Sequence, residues 1–397
     1  MPFAVYVLGL AVFAQGTSEF MLSGLLSGIA ADLGVSLSAA GLLTSAFAVG
    51  MVVGAPVMAL AGRTWPRRRA LLLFLAVFVA VHAAGALTPS YGVLLATRFV
   101  GALANAGFWA VALSTAVAMV PDRLKGRAAA VVVGGVTVAC VVGVPAGAVL
   151  GERWGWRSAF WAVAIVSLPA FLAVLRSIPG GRSATDEGAA SVSVRDELRV
   201  LTGPRLRPVL LTMALVQGAT FCTFSYLEPL LTRESGLSAG WVPVALALFG
   251  VGAFAGVTVA GRYADAHPVA VVATGMAALT VGWSALALTA GSPVLALVLV
   301  PLLGLLAFGT GTALITRVLS LAPGAPTLAG ASSTTAFNLG ATVGPWAGGL
   351  ALGAGFGYRA PVGVSALLMV AAVLVAATTA KSRRPRAGER RLSGTRL

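Results

Sequence analysis

The chain has 397 residues, of which 58% are hydrophobic and only 10% carry a charged side chain. Soluble globular proteins carry about a quarter charged residues, so this composition excludes an ordinary soluble enzyme and a disordered chain. The formal net charge of +15, from 27 Lys and Arg against 12 Asp and Glu, would by itself also suit a nucleic-acid-binding protein. The distribution of these charges along the chain decides between a membrane protein and a nucleic-acid-binding one.

Apolar runs long enough to cross a lipid bilayer recur along the chain. A helix of roughly 20 apolar residues crosses the hydrocarbon core, and runs of this length without strand-like alternation form helices in lipid. The sequence therefore predicts an all-α integral membrane protein with twelve transmembrane helices. The predicted spans are 4–26, 39–61, 70–88, 92–118, 128–150, 158–176, 208–231, 241–261, 268–289, 293–319, 327–352 and 361–380.

The first apolar run has no basic segment before it and no Ala-x-Ala cleavage site after it, so we expect it to be retained as a span. Counted from a cytoplasmic N-terminus, 22 of the 27 Lys and Arg fall in segments on the cytoplasmic side. This asymmetry follows the positive-inside rule and predicts a multi-pass protein of the bacterial inner membrane with both termini in the cytoplasm. Because no basic patch is interleaved with aromatic residues, no nucleic-acid partner is expected.

Two halves of six spans are predicted on either side of a polar segment rich in Gly, Ser and charged residues. The N-terminal bundle covers 1–176, a cytoplasmic linker 177–207, the C-terminal bundle 208–380 and a basic cytoplasmic tail 381–397. Sequence matches relate the halves at offsets of 199 to 202 residues, and six spans per copy make the repeats parallel. The matches are Gly50 with Gly252, Gly62 with Gly261, Pro145 with Pro345 and Gly155 with Gly357.

Several motifs resemble those of one transporter family. The segment Gly16-Thr-Ser-Glu-Phe20 resembles the first-span motif of the drug:proton antiporters of the major facilitator superfamily, and Arg98 to Gly107 resembles their fourth-span motif. The segment Gly340 to Gly349 resembles their glycine-proline motif, although it stands in span 11 instead of span 5. Residues 1–15, 136–140 and 218–222 are similar to actinobacterial chloramphenicol-resistance exporters.

This resemblance implies two parallel six-helix bundles that alternate access to a central site. It also implies proton-coupled export of a hydrophobic antibiotic, chloramphenicol in the first place. Relatives that export sugars share the first-span motif, so efflux of a sugar or another small metabolite is the alternative. No nucleophile–base pair, metal cluster or nucleotide-binding loop is visible, so neither an enzyme nor a bound cofactor or metal is expected. We expect the drug, protons and the bilayer as partners, and a monomer.

Glu19 is the only acidic residue well inside a predicted span. A charged carboxylate is costly at membrane depth and is a functional candidate by default. Arg98 lies at a similar predicted depth, about seven residues into span 4, so the two side chains could pair. The hypothesis is that Glu19 binds a proton and then releases its hold on Arg98 or on the substrate. A static buried Glu–Arg pair is the alternative.

In the family that the chain resembles, spans 1, 4, 7 and 10 line the substrate cavity. Polar and aromatic residues of three of these spans are the candidates, with Tyr226 and Asn338 as weaker additions. Gln15 and Gln217 occupy corresponding positions of the two halves, and a buried amide needs a partner. The candidates are Gln15, Asn105, Phe108, Trp109, Gln217, Phe221 and Phe224.

The remaining candidates concern gating and helix packing. The family's loop between spans 2 and 3 usually carries an Asp where this chain has Thr64, whereas the second half keeps an acid at Asp265. His82 is interpreted as a packing residue, and the role of Glu228 is left open. The assigned gating and packing residues are Arg67, Arg68, Arg69, Pro145, Gly147, Asp265, Gly344 and Pro345.

Overall fold

The computed structural model describes residues 1–61, 65–178, 206–263, 267–321 and 326–381, and these are helical almost throughout. Most of the predicted linker 177–207 and nearly all of the predicted tail 381–397 lie outside the described residues, as do Thr64 and Asp265. The boundaries of the two predicted bundles and their linker therefore stay predictions.

The first half contains six long helices that coincide with the first six predicted spans. Most of the residues in each are apolar, which suits helices that face lipid on one side and other helices on the other. They are α1 (Phe3–Phe20), α2 (Leu37–Ala61), α3 (Arg67–Leu87), α4 (Tyr91–Ala118), α5 (Lys125–Trp154) and α6 (Trp156–Ser177).

The second half repeats this arrangement with six further helices. They are α7 (Arg207–Ser225), α8 (Trp241–Tyr263), α9 (Pro268–Thr289), α10 (Pro293–Leu321), α11 (Pro326–Gly353) and α12 (Ala360–Lys381). Within the described residues, eleven helices are long and apolar enough to cross a membrane, all except α11. Helix α11 has the length but carries several Ser and Thr residues in its first half. The prediction of an all-helical fold with many spans is confirmed.

Two predicted spans are interrupted instead of continuous. Helix α1 ends at Phe20 and is followed by a 3₁₀ turn (Met21–Gly24) and a short helix (Leu26–Leu33). The Ser23 hydroxyl donates to the Phe20 carbonyl at this break, a local bond that competes with the regular helix. Helix α7 ends at Ser225, before Pro229, whose missing N–H prevents a regular helix from continuing.

The two halves pack in the same way, as the predicted repeat requires. Helix α1 packs against α5 and α6, α2 against α4, and α3 against α4 and α6. In the second half α7 packs against α11 and α12, α8 against α10, and α9 against α10 and α12. The matched glycines hold equivalent contacts, since Gly50 lies against the backbone of α4 and Gly252 against that of α10. Small residues at such positions let helix backbones approach closely.

The halves meet along two helix pairs, α2 with α11 and α5 with α8. We call the end of the molecule where α1 finishes the Asp32 end, and the opposite end, where α3 begins, the Arg68 end. Hydrogen bonds join the halves in the part nearer the Asp32 end. Ser38 Oγ donates to the Gly349 carbonyl at 2.7 Å, and Ser45 Oγ donates to the Thr342 carbonyl at 2.8 Å.

Candidate functional site

Arg98 is almost completely buried, with 2% of its surface exposed, although it carries a permanent charge. Its Nη1 donates to Ser18 Oγ at 2.8 Å, and its Nη2 donates to the Ser18 carbonyl, also at 2.8 Å. The guanidinium carbon lies 4.4 Å from the centre of the Phe47 ring, which is cation–π distance. Arg98 of α4 is therefore held by α1 and α2, and its Nε has no partner among the described residues.

His82 of α3 extends this network. Its Nδ1 lies 2.7 Å from the Phe78 carbonyl, and its Nε2 lies 2.7 Å from Ser18 Oγ. Because a carbonyl oxygen only accepts, Nδ1 carries a proton. Arg98 already donates to Ser18, so a neutral ring whose Nε2 accepts the Ser18 hydroxyl avoids placing a second cation beside Arg98. The His82 ring packs against that of Phe78, and its Nε2 also fixes the Ser18 hydroxyl.

Glu19 follows Ser18 directly and is half-buried. Its carboxylate makes no hydrogen bond or ion pair with any residue that the structure describes. Arg98 is close enough for electrostatic attraction, yet its hydrogen bonds go to Ser18. The structure thus brings the two proposed coupling residues to the same place without joining them.

The backbone around Glu19 is irregular on two neighbouring helices. Helix α1 ends one residue after Glu19, and α5 contains a wider π-helical turn (Ala139–Gly143). Pro145 stands just after this turn and cannot donate a backbone hydrogen bond. Gly143 lies against Thr17, so the two irregular segments touch. Such π turns occur often at functional sites.

A cluster of aromatic rings begins at Phe20, next to Glu19. The Phe20 ring lies 5.6 Å from that of Phe221 and 6.3 Å from that of Phe224, both on α7. Phe224 lies 4.7 Å from Phe249 of α8, which lies 6.1 Å from Phe308 of α10. These five rings, the aromatic cluster below, connect the first half of the protein with the second.

A small pocket lies within the aromatic cluster, with Cys140 and Thr220 also in its wall. Its free space is only about 10 Å³, enough for about one water molecule. The five rings and their neighbours therefore fill the region in this conformation, and a larger molecule would enter only if the rings moved apart.

The predicted cavity residues fall into two groups. Phe221 and Phe224 belong to the aromatic cluster. Gln15, Asn105 and Phe108 are completely buried instead of facing an open cavity, whereas Trp109 and Gln217 are half-buried. Neither amide atom of Gln15 has a partner among the described residues, and the same holds for Asn105 Oδ1. These buried polar atoms are free to bind water or a ligand in another conformation.

The sequence did not single out Phe20, Phe249 or Phe308 as site residues. Phe20 could have been identified as a site residue from the sequence, because it follows Glu19 directly. Phe249 and Phe308 lie in long apolar helices where a phenylalanine is not distinctive. The weaker candidates have structural partners, since the Tyr226 hydroxyl donates to the Pro345 carbonyl at 2.9 Å and Asn338 Nδ2 donates to the Thr334 carbonyl at 2.9 Å.

The glycine-proline segments of both halves lie at close helix contacts. Gly147 of α5 lies against Met21 after the end of α1. Gly344 of α11 lies against the backbone of Gly218 on α7, where a Cβ atom would collide with the Gly218 carbonyl. Span 5 therefore packs on span 1 as span 11 packs on span 7.

Arg67, Arg68 and Arg69 begin α3 at the Arg68 end. Arg68 donates to the carbonyl of Leu175 in the last turn of α6. This contact lies within the first half and places a cation at the carboxyl end of a helix, where the helix dipole favours it. Asp265, the acid assigned to the second half, lies outside the described residues.

Acidic residues gather at the Asp32 end. Asp32 accepts hydrogen bonds from Arg157 and from Trp156 Nε1, and these donors, Arg157 first, hold the pKa of its carboxyl below the ordinary value. Glu228 crosses between the halves, since its Oε2 accepts from Ser27 N at 3.1 Å and from Ser27 Oγ at 2.5 Å. The Glu228 carboxylate of the second half therefore binds the first half of the protein.

Comparison with known proteins gives a consistent result. The family model described as Major Facilitator Superfamily matches residues 8–334. The chain is 53% identical over 376 residues to a chloramphenicol resistance protein of Streptomyces lividans, across 95% of this chain and 96% of that protein. It is 34% identical over 357 residues to the inner membrane transport protein YdhP of Escherichia coli (strain K12), across 90% of each chain.

A solved structure shares the fold. It is a bacterial homologue of the human lysosomal transporter Spinster in an inward-facing and unoccupied conformation, with a TM-score of 0.76. The match covers 96% of this chain and 95% of that chain at 18% sequence identity, so it concerns the fold alone.

Proposed function

The chain belongs to the major facilitator superfamily, and we propose that it exports a hydrophobic antibiotic, chloramphenicol in the first place, in exchange for protons. It is a multi-pass membrane transporter and not an enzyme. The observation that supports chloramphenicol as the substrate is the 53% identity with a chloramphenicol resistance protein over nearly the whole of both chains.

The aromatic cluster suits this substrate. Chloramphenicol is neutral and contains an aromatic ring, and ligand pockets for such molecules are mainly apolar with a few polar groups. Phe20, Phe221 and Phe224 supply stacking surfaces, and Thr220 contributes to the wall of the same pocket. In our proposal, the rings separate to admit the drug when the bundles move.

Proton coupling is assigned to Glu19 and Arg98. A carboxylate without a hydrogen-bond donor in the core of a membrane is unstable when charged, so it binds a proton readily when access is open. Glu19 precedes Phe20 of the aromatic cluster in the chain and lies within electrostatic range of Cys140 in the pocket wall, so in our proposal the charge on Glu19 and a drug among the rings influence each other. Competition of this kind is what exchange of a proton for a drug requires.

The orientation in the membrane is assigned from the charges at the two ends. Arg67, Arg68 and Arg69 lie at the Arg68 end, and the positive-inside rule assigns that end to the cytoplasm of a bacterial inner membrane, with both termini there. The hydrogen bonds of Ser38 and Ser45 between the halves then lie toward the outside. Alternating access consists of breaking these outer contacts while the cytoplasmic side closes.

Accumulation of labelled chloramphenicol in a susceptible host tests the substrate. Cells that express the protein should accumulate less drug than cells with an empty vector, and a protonophore should abolish the difference because it removes the driving force. Equal accumulation with and without the protein would exclude chloramphenicol. The same cells loaded with labelled arabinose test the alternative, and protonophore-sensitive loss of the sugar without any effect on the drug would favour a sugar exporter.

A further inference from the structure

Arg98 has two acceptors nearby on α1, Ser18 and the Glu19 carboxylate, which attracts it electrostatically, but in this structure its hydrogen bonds go to Ser18 alone. Its Nη1 and Nη2 both donate to Ser18, while the Glu19 carboxylate one residue further along the chain has no hydrogen-bond partner among the described residues. A guanidinium beside a free carboxylate would ordinarily form a bidentate ion pair. The site therefore offers the guanidinium a second binding position besides the carboxylate.

His82 makes Ser18 a stronger hydrogen-bond acceptor for Arg98. The bond between Nδ1 and the Phe78 carbonyl fixes the ring and leaves Nε2 as an acceptor for the Ser18 hydroxyl. With its hydrogen directed at His82, Ser18 Oγ presents its lone pairs to Arg98, and the Ser18 carbonyl adds a second acceptor. A chain of hydrogen bonds polarises its members, so His82 strengthens the hold of Ser18 on Arg98.

We propose that Ser18 and His82 form an alternative binding position for the Arg98 guanidinium, and that Arg98 moves between this position and the Glu19 carboxylate as Glu19 gains and loses a proton. When Glu19 is protonated, its attraction for Arg98 falls and Arg98 occupies Ser18. When the proton leaves, the carboxylate draws Arg98 back. His82 is a positioning residue in this scheme, because it acts on Arg98 only through Ser18.

This inference rests on the proposed role of Glu19 as the proton site. The groups that influence Glu19 come from the helices packed around it, namely Arg98 of α4 and Cys140 of the π turn in α5. His82 of α3 acts from behind Ser18 and influences Arg98 electrostatically. In this scheme Ser18 and Glu19, which are neighbours on α1, compete for the Arg98 guanidinium. If binding to one of them is weakened, Arg98 spends more time on the other.

Infrared titration of the purified full-length protein measures this competition without any drug. The carboxyl stretching band that disappears in Glu19→Gln reports protonation of Glu19. In Ser18→Ala and in His82→Phe, Arg98 should spend more time on Glu19, so the midpoint of the band should fall by about one pH unit, the size expected for losing a hydrogen bond to a charged group. His82→Gln keeps an acceptor for the Ser18 hydroxyl and should return the midpoint toward that of the unmodified protein.

Ser167→Ala is the matched control, because Ser167 is a buried serine whose hydroxyl donates only to the Val163 carbonyl of its own helix. Its midpoint should not move. An unchanged midpoint in both Ser18→Ala and His82→Phe would overturn the inference, as would equal shifts in His82→Phe and His82→Gln. If His82→Phe does not fold, Ser18→Ala and His82→Gln decide the question between them.

The absence of a titrating band at Glu19 would overturn both this inference and the proposed proton site. A shifted midpoint in a protein that fails to lower chloramphenicol accumulation would instead support the inference and exclude only the proposed substrate. The two failures are therefore distinguishable.

Discussion

At the scale of single residues, the carboxyl group of Glu19 is the site that we propose for the coupled proton. Glu19 follows Ser18, which binds the buried Arg98, and precedes Phe20, whose ring contacts the other half of the protein. A neutral amide at this position cannot take up or release a proton. Glutamine keeps the volume of the side chain, so this substitution removes the proton site without disturbing the packing around it. Its expected effect is a loss of coupling between proton flow and drug transport.

Glu19→Gln should abolish proton-driven uptake of chloramphenicol into inverted vesicles with an acidic interior. The control is Glu152→Gln, which removes an exposed acid at the Asp32 end and should leave uptake unchanged. Uptake by Glu19→Gln equal to that of the unmodified protein would contradict the assigned role.

Glu19 and Arg98 were predictable from the sequence because charges inside apolar spans are costly and therefore conspicuous. The residues that hold Arg98 in place were not predictable. Ser18 and His82 are 64 positions apart in the chain, and neither a serine nor a neutral histidine changes the hydropathy of a span enough to be noticed. Only the packing of α1 on its neighbours brings the two together with Arg98.

At the scale of helices, the close contact between α11 and α7 depends on the absence of a side chain. A Cβ atom on Gly344 would collide with the carbonyl of Gly218, and both atoms belong to regular helix backbone that cannot move alone. Adding atoms to a packed interface of this kind costs about 1–3 kcal/mol.

Gly344→Ala should therefore lower the thermal midpoint of the purified protein in detergent. Gly363→Ala on α12 is the control, since no atom lies within 4 Å of the position its Cβ would take, and alanine stabilises an exposed helix relative to glycine. Its midpoint should stay the same or rise. A midpoint in Gly344→Ala as high as that in Gly363→Ala would show that the α7–α11 contact is not as tight as described.

The positions of the long helices could be predicted because hydrophobic length is a strong signal. The breaks within them could not. Span 7 was extended to residue 231, yet α7 ends at Ser225 because Pro229 interrupts the backbone ladder. The mean hydropathy of a span is hardly changed by one proline, so it does not reveal where the helix breaks. It also gives no indication of the π turn that precedes Pro145.

At the scale of the whole molecule, contacts between the halves close the Asp32 end. Glu228 of the second half accepts two hydrogen bonds from Ser27 of the first, at the start of a short helix whose dipole also favours a negative charge. Hydrogen bonds to a charged acceptor contribute more than those to a neutral one, by about 1 kcal/mol each. Glutamine at 228 would therefore weaken the closure.

Spin labels attached through Ala31→Cys and Ala239→Cys, two exposed positions in different halves at this end, measure the separation of the halves. Cys140 and Cys222 are buried and are replaced by alanine. Glu228→Gln should increase the population with long distances. The control is Glu234→Gln, because Glu234 pairs with Arg359 of its own half. Identical distance distributions in Glu228→Gln and in the unmodified protein would contradict the proposed closure.

The duplication was visible in the sequence as glycines and prolines at a nearly constant offset, and equivalent helices do pack alike in both halves. Which end of the molecule is closed was not visible. The closing bonds of Ser27, Ser38 and Ser45 use a carboxylate or backbone carbonyls from the other half. Such pairs depend on the relative tilt of two bundles, for which a linear sequence gives no signal.

The aromatic cluster has one further consequence, which concerns leakage. Phe20 moves with the first half, whereas Phe221 and Phe224 move with the second. Any motion that separates the halves at this level divides the cluster and exposes phenyl rings to water, at a cost of about 25 cal/mol for each Å² of apolar surface. A continuous water path through this region would therefore be energetically unfavourable, and we expect the closed cluster to limit any flow of protons that is not coupled to transport.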